Sequence, residues 1–82
     1  MSKNIIFYTK EQCPLCDEAR GLLMLLQEEY DFDIEEKDIY QDDELLEKYQ
    51  ISIPVIQVDE EEIDGSQMNF QQIRKVFDKK LR

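Results

Sequence analysis

The sequence predicts an α/β domain: one mixed four-stranded sheet with helices on both faces, in the order strand, helix, strand, helix, strand, strand, helix. Three observations carry this. Ile5-Ile6-Phe7-Tyr8 is a short, wholly apolar run of strand formers. Two segments, after Pro14 and after Asn69, repeat their apolar residues at helical spacing. Between them, Val55-Ile56-Gln57-Val58 and Glu62-Ile63 flank an acidic turn and read as a hairpin.

The elements follow in chain order. Apolar residues at every position from Ile5 to Tyr8 suit a central strand paired on both sides and covered on both faces. Thr9 to Gln12 is polar and turn-like. From Pro14 the period changes, with Leu15, Ala19, Leu22, Leu23 and Leu26 on one helical face. Pro14 suits the first helical position, where its missing N–H would have no partner in any case. Asp17 and Glu18 in the first turn complement the positive helix end. Met24 and Leu25 widen the apolar face, and Gly21 is expected to allow close packing on the sheet. Phe32, Ile34 and Glu36 alternate with Asp33, Glu35 and Lys37, which predicts a second strand reaching Ile39. Asp42 or Asp43 caps a short helix carrying Leu45, Leu46 and Tyr49. The hairpin follows Pro54 and turns at Asp59-Glu60-Glu61. Asn69 caps the last helix, where Phe70, Ile73, Phe77 and Leu81 share a face and Lys79, Lys80 and Arg82 suit the negative end. The first strand–helix–strand unit is expected to be a right-handed parallel crossover.

With 82 residues the chain holds a single domain, 1–82, and no linker or repeat interrupts it. Asp and Glu number 20 against 10 Lys and Arg, a formal net charge of −10. Such a surface repels phosphate backbones and anionic membranes, so neither nucleic acid nor membrane is an expected partner. No stretch approaches the roughly 20 apolar residues of a membrane span. Met1-Ser2-Lys3-Asn4 runs directly into the first strand, which predicts no leader segment and a cytoplasmic protein.

In that compartment a structural disulfide is not expected, and two close cysteines read as redox-active or metal-binding. Cys13-Pro14-Leu15-Cys16 falls where the first strand gives way to the first helix. Cys13 then lies beside unpaired backbone N–H groups and the positive helix end, which favour thiolate over thiol. Lys10 adds to this, while Glu11, Asp17 and Glu18 oppose it. Cys16, one turn deeper, is the less exposed of the two. Cys13 is therefore the candidate nucleophile and Cys16 the candidate resolving thiol. The chain has no His, which removes Cys–His catalytic pairs and the commonest zinc ligand. Two cysteines alone cannot close a four-ligand site, so metal or iron–sulfur binding would need two subunits. That non-catalytic reading, and a redox-sensing module using the same cysteines, stay open. Tyr8, Tyr30, Tyr40 and Tyr49 read as packing residues.

Phe7-Tyr8-Thr9-Lys10, Cys13-Pro14-Leu15-Cys16, Ile53-Pro54-Val55 and Gly65 together resemble the glutaredoxin branch of the thioredoxin superfamily, and more narrowly the short bacterial glutaredoxin-like proteins. The resemblance runs from about Asn4 to Phe77 and implies a thioredoxin fold, order βαβαββα. It implies a dithiol-disulfide oxidoreductase in which Cys13 attacks and Cys16 resolves. Lys10 would assist thiolate and glutathione binding. Pro54 would be cis, with the Ile53 backbone facing the cysteines. Pro14, Leu15, Ile53, Pro54, Gly65 and Ser66 would complete the substrate site. The implied partners are a disulfide-bearing protein or small molecule and, as electron donor, glutathione or a reductase. The expected protein is a monomer without a bound cofactor. The chain departs from the pattern in three places. Ser52-Ile53 stands for Thr or Ser plus Val, a minor change. Asp64-Gly65 replaces a Gly-Gly pair, and Gln67 and Met68 stand near the acidic residues that hold the glutathione amine. The last two weaken the glutathione site while leaving the disulfide chemistry intact.

Overall fold

The computed structural model describes residues 3–81; Met1, Ser2 and Arg82, invoked above for the chain start and the last helix end, lie outside the described residues. The elements are β1 (Lys3–Thr9), α1 (Pro14–Leu26), β2 (Phe32–Asp38), a 3-10 turn (Ile39–Gln41), α2 (Asp43–Tyr49), β3 (Val55–Val58), β4 (Glu61–Ile63), a second 3-10 turn (Gly65–Gln67) and α3 (Phe70–Lys80). The strands form one sheet in the order β2-β1-β3-β4. β1 pairs parallel with β2, from Lys3 opposite Phe32 to Thr9 opposite Asp38. On its other side β1 runs antiparallel to β3, with Phe7 opposite Ile56. β3 and β4 close the hairpin, with Val58 opposite Glu61.

The apolar run of β1 has the predicted cause. Ile5 and Phe7 point to one face of the sheet and join Ala19, Leu23 and Leu26 of α1 with Ile73, Val76 and Phe77 of α3. Ile6 and Tyr8 point to the other face, against Ile39, Val55 and the α2 residues Leu45, Leu46 and Tyr49. Phe77 meets Phe32 and Tyr30 edge-on, with centroids 5.1 Å and 5.6 Å away. Tyr8 and Tyr49 stack at 4.4 Å on the opposite side.

The caps are those the sequence indicates. Asp42 accepts from the N–H of Glu44 at 2.9 Å, and Asn69 from that of Gln72 at 2.8 Å. Lys79 and Lys80, in the last turn of α3, also pair with Glu61 and Glu60 at 2.6 Å each, tying that helix end to the hairpin. Three details differ from the sequence reading. β2 stops at Asp38, whose carboxylate accepts the N–H of Tyr40 at 2.9 Å and starts the 3-10 turn. Glu61 belongs to β4; the turn is Asp59-Glu60, with Asp59 at φ 56°. Gly21 does not mediate close packing: it is exposed, and a Cβ there would meet nothing within 4 Å. It lies on the outer face of α1, with Met24, 61% exposed, one turn on. No helix among the described residues is long and apolar enough to cross a membrane.

Candidate active site

The turn between β1 and α1 places both cysteines. Gln12 adopts the left-handed conformation (φ 55°), uncommon for a residue with a side chain. The chain then enters α1 with Cys13 as N-cap (φ −117°, ψ 99°) and Pro14 in the first turn. Cys13 and Cys16 are joined by a disulfide, their Cα atoms 5.1 Å apart. The Cys16 N–H donates to Cys13 Sγ at 3.1 Å. That sulfur holds the position where an Asp or Ser oxygen caps other helices, facing an N–H that has no partner within the helix. Cys13 is 8% exposed and Cys16 1%, so Cys13 is the sulfur an incoming group reaches.

The charges around the pair are arranged by Arg20. Its guanidinium bonds Asp17 at 2.7 Å and also pairs with Glu36 on β2. The hydrogen bond to Glu36, more than any other contact, holds the guanidinium above its already high ordinary range. Thr9, a buried hydroxyl, donates to the same Glu36 at 3.3 Å. Asp17, which alone would oppose a thiolate at Cys13, is thereby partly neutralised. Arg20 also lies over the Phe7 ring, 5.7 Å from its centroid, so it fastens the start of α1 to the sheet.

Three open depressions flank this turn. One, of about 290 Å³, is lined by Leu15, Ile51, Ser52, Ile53, Asp64, Gly65 and Ser66. The Ile53–Pro54 peptide bond beside it is cis. Ser52 and Ile53 N–H groups both donate to the Tyr49 carbonyl, at 2.9 and 3.1 Å, and the Gly65 N–H donates to the Ser52 carbonyl at 2.9 Å. A Cβ on Gly65 would lie 3.1 Å from the Ile53 carbonyl oxygen and 3.2 Å from that of Ser52. The close approach of the two loops favours glycine there, since a side chain would push against both carbonyl oxygens. The second, of about 460 Å³, is lined by Lys10, Glu11, Gln12, Asp38, Tyr40 and Gln41, and the third, of about 420 Å³, by Thr9, Lys10, Glu11, Gln12, Asp17, Arg20, Glu36 and Asp38.

The structure therefore brings Leu15, Ile53, Gly65 and Ser66 together as expected, with Pro54 packed beside Gly65. Pro14 is exposed on the first turn. Lys10 does not join them; it lines the second and third depressions. The Ser66 N–H and hydroxyl both donate to Asp64, at 3.0 and 2.6 Å. Ile53 packs against the core cluster that contains Cys13 and Cys16. The Gln67 side chain lies outside the described residues; Met68 is half-buried against the same cluster. Ile51 was not legible as a site residue: a lone apolar residue after α2 carries no periodic signal. Among the described residues no group of three or more His, Cys, Asp or Glu is placed to share a metal ion.

Comparison with known proteins adds the following. Residues 4–78 match the family model of the Glutaredoxin-like domain (DUF836). Among solved structures, the solution NMR structure of protein Ne2328 from Nitrosomonas europaea is similar, with 28% identity and a TM-score of 0.63 over 68% of this chain and 66% of that one. The chain thus spans just under two thirds of that protein. A mutant of the thioredoxin-like protein BC3987 superposes with a TM-score of 0.64 at 22% identity, over 89% of this chain and 97% of that one. A malarial protein gives 0.67 at 13% identity over 100% of both chains. The last two speak to the fold alone, and that fold is thioredoxin-like. No match is found among curated protein sequences.

Proposed function

The chain belongs to the glutaredoxin-like domain family, and from that premise we propose that it is a dithiol-disulfide oxidoreductase that reduces disulfides of proteins or small molecules. The observation that carries this reading is the capping sulfur: Cys13 Sγ receives the Cys16 N–H at 3.1 Å at the start of α1. In the reduced protein the same N–H and the positive helix end favour a thiolate at Cys13.

The geometry supports the following reaction. The Cys13 thiolate attacks one sulfur of the substrate disulfide; a mixed disulfide forms, and one substrate thiolate leaves and takes a proton from water. Deprotonated Cys16, one turn away, then attacks the Cys13 sulfur. The Cys13–Cys16 disulfide closes, and the second substrate thiol is released. The substrate disulfide gains two electrons and two protons, and the protein dithiol loses them. A thiol donor, glutathione or a reductase, recharges the pair. The depression bounded by Leu15, Ile53 and Gly65 receives the substrate beside Cys13. A soluble cytoplasmic monomer fits this role.

Turnover of a disulfide substrate under a thiol donor tests the assignment. Cys13→Ser should abolish it, and Cys16→Ser should accumulate mixed disulfides visible by mass spectrometry. Wild-type rates in Cys13→Ser would refute it. Titration in graded redox buffers should show a reversible two-proton mass change near the roughly −200 to −270 mV spanned by glutaredoxins and thioredoxin.

A further inference from the structure

Five large apolar side chains stand exposed among the described residues: Leu15, Met24, Leu25, Tyr40 and Ile51. Two of them, Leu15 at 58% and Ile51 at 93%, are walls of the same depression beside the disulfide. Neither is there for the core. Ile51 is displayed on a loop fixed by the Ser52 and Ile53 N–H bonds to the Tyr49 carbonyl, so its position does not depend on its own packing. A pair of exposed apolar side chains beside a polar floor offers apolar surface to a bound side chain.

The same depression carries one charge. Asp64 is half-buried and makes no ion pair among the described residues. Its Oδ1 is occupied by Ser66, and it faces no lysine or arginine within the depression. The adjoining depression shares Ser52 and Asp64 and adds Glu62 and Lys48, two carboxylates against one ammonium. The whole chain is at −10, which attracts cations over distance.

We infer that this groove selects polypeptide disulfides whose reacting cysteine is flanked by an apolar residue, held between Leu15 and Ile51, and by a basic residue, held at Asp64. The inference rests on the oxidoreductase reading and names the substrate class for it. It also sets glutathione, a tripeptide of net negative charge, apart from the preferred disulfide partner, since a chain at −10 repels such an anion over distance.

The test uses the pre-reduced full chain in single turnover against symmetric disulfides of three capped peptides, Leu-Cys-Lys, Leu-Cys-Glu and Gly-Cys-Lys. Each rate is divided by that of dithiothreitol with the same peptide, which removes the intrinsic reactivity of the disulfide. The corrected lysine-to-glutamate ratio should be about tenfold at low salt and should fall towards one in about 0.5 M salt, where charges are screened within a few ångströms. Asp64→Asn should lower the ratio about tenfold, the effect of one unit charge some 6 Å away across water, about threefold in opposite directions on the lysine and the glutamate peptide. Asn caps as well as Asp, so the 3-10 turn is kept. Ile51→Ser, at a residue with no packing to lose, should lower the leucine-to-glycine ratio about fivefold, as expected for uncovering part of a leucine side chain.

Corrected ratios near one with exchange otherwise intact would overturn the inference and leave the oxidoreductase reading standing. Ratios that survive both substitutions would remove the selectivity from this groove and overturn it equally. No exchange with any peptide, nor with hydroxyethyl disulfide, would bring down both.

Discussion

The two faces of the sheet are built differently. One is a broad aliphatic and phenylalanine core: Ile5, Phe7, Leu23, Leu26, Ile56, Ile73 and Phe77, all essentially without exposure. The other is a small cluster of Tyr8, Ile39, Tyr49 and Val55 under the single short helix α2. There the tyrosines finish their packing with polar contacts: Tyr8 donates to Gln57 at 3.0 Å, and Tyr49 donates to Glu62. The cysteines belong to the broad face, while Ile53, next to Pro54, packs against both. The cysteine turn thus rests on the broader core, and the loop with the cis Ile53–Pro54 bond is pinned where the two cores meet. A scaffold that must present one sulfur in a fixed position gains from this division: α1 is held firmly, and the loop opposite is held by the part of the molecule that is cheaper to perturb.

The largest expected effect breaks the broad face. Phe77→Ala removes a ring with 0% exposure and should cost about 3–5 kcal/mol. A chain of this length has roughly 4–12 kcal/mol in total, so the variant should be near its unfolding midpoint in mild urea. Ile39→Ala, on the thin face, should sit at the low end of the same range, about 2 kcal/mol, because the half-buried Leu45 and Leu46 around it are free to close in. Equal losses in urea melts would mean that the two faces are energetically alike and the comparison is mistaken.

A smaller effect sharpens the thin face by pH. Burial, then the hydrogen bond to Glu62, pushes the Tyr49 phenol above its ordinary range near 10. The unfolded chain therefore releases this proton at lower pH than the folded one. The stabilisation is complete below about pH 10 and is lost as pH rises through the higher folded value. Tyr49→Phe should cost about 1 kcal/mol at neutral pH, one hydrogen bond to a solvated carboxylate. Above pH 10 the gap between wild type and variant should narrow. Tyr30 and Tyr40 remain in both proteins and cancel in the difference, which reports Tyr49 together with its stacked neighbour Tyr8. A gap constant to pH 11 would show that the phenol titrates alike in both states.

Much of this architecture was legible because the signals are local. An apolar run without alternation announces β1; Pro14, Asp42 and Asn69 announce where helices begin; and the strand-to-helix turn gives the cysteine pair its place. What escaped notice depends on contacts distant in sequence. Nothing in Gln12 signals a left-handed turn, since the residue that marks such turns is glycine. Ile51 reads as noise until the loop at Gly65 is brought against Ser52. Lys10, three residues from Cys13, reads as its neighbour, yet the turn sends it to the two depressions away from Leu15 and Ile53. The Asp38–Tyr40 and Asp64–Ser66 contacts that start the 3-10 turns are short-range and were within reach of a reading that looked for them.

Gly21 shows how far the broad face extends around α1, and it supports the smallest prediction. A glycine inside a helix invites the reading that something packs against it. Here the next turn is Met24, mostly exposed, and a Cβ at Gly21 would meet nothing within 4 Å. Its backbone is helical, with no positive φ. Alanine there loses no contact and gains none; it restricts the unfolded chain and favours the helix by itself. Gly21→Ala should therefore stabilise the protein by about 0.4–1 kcal/mol, seen as a higher urea midpoint with an unchanged slope. Because the gain needs no core, it should add to the loss in Phe77→Ala without coupling. A destabilised Gly21→Ala protein would mean that the outer face of α1 is covered, and that α1 has a packing partner on the side opposite the sheet.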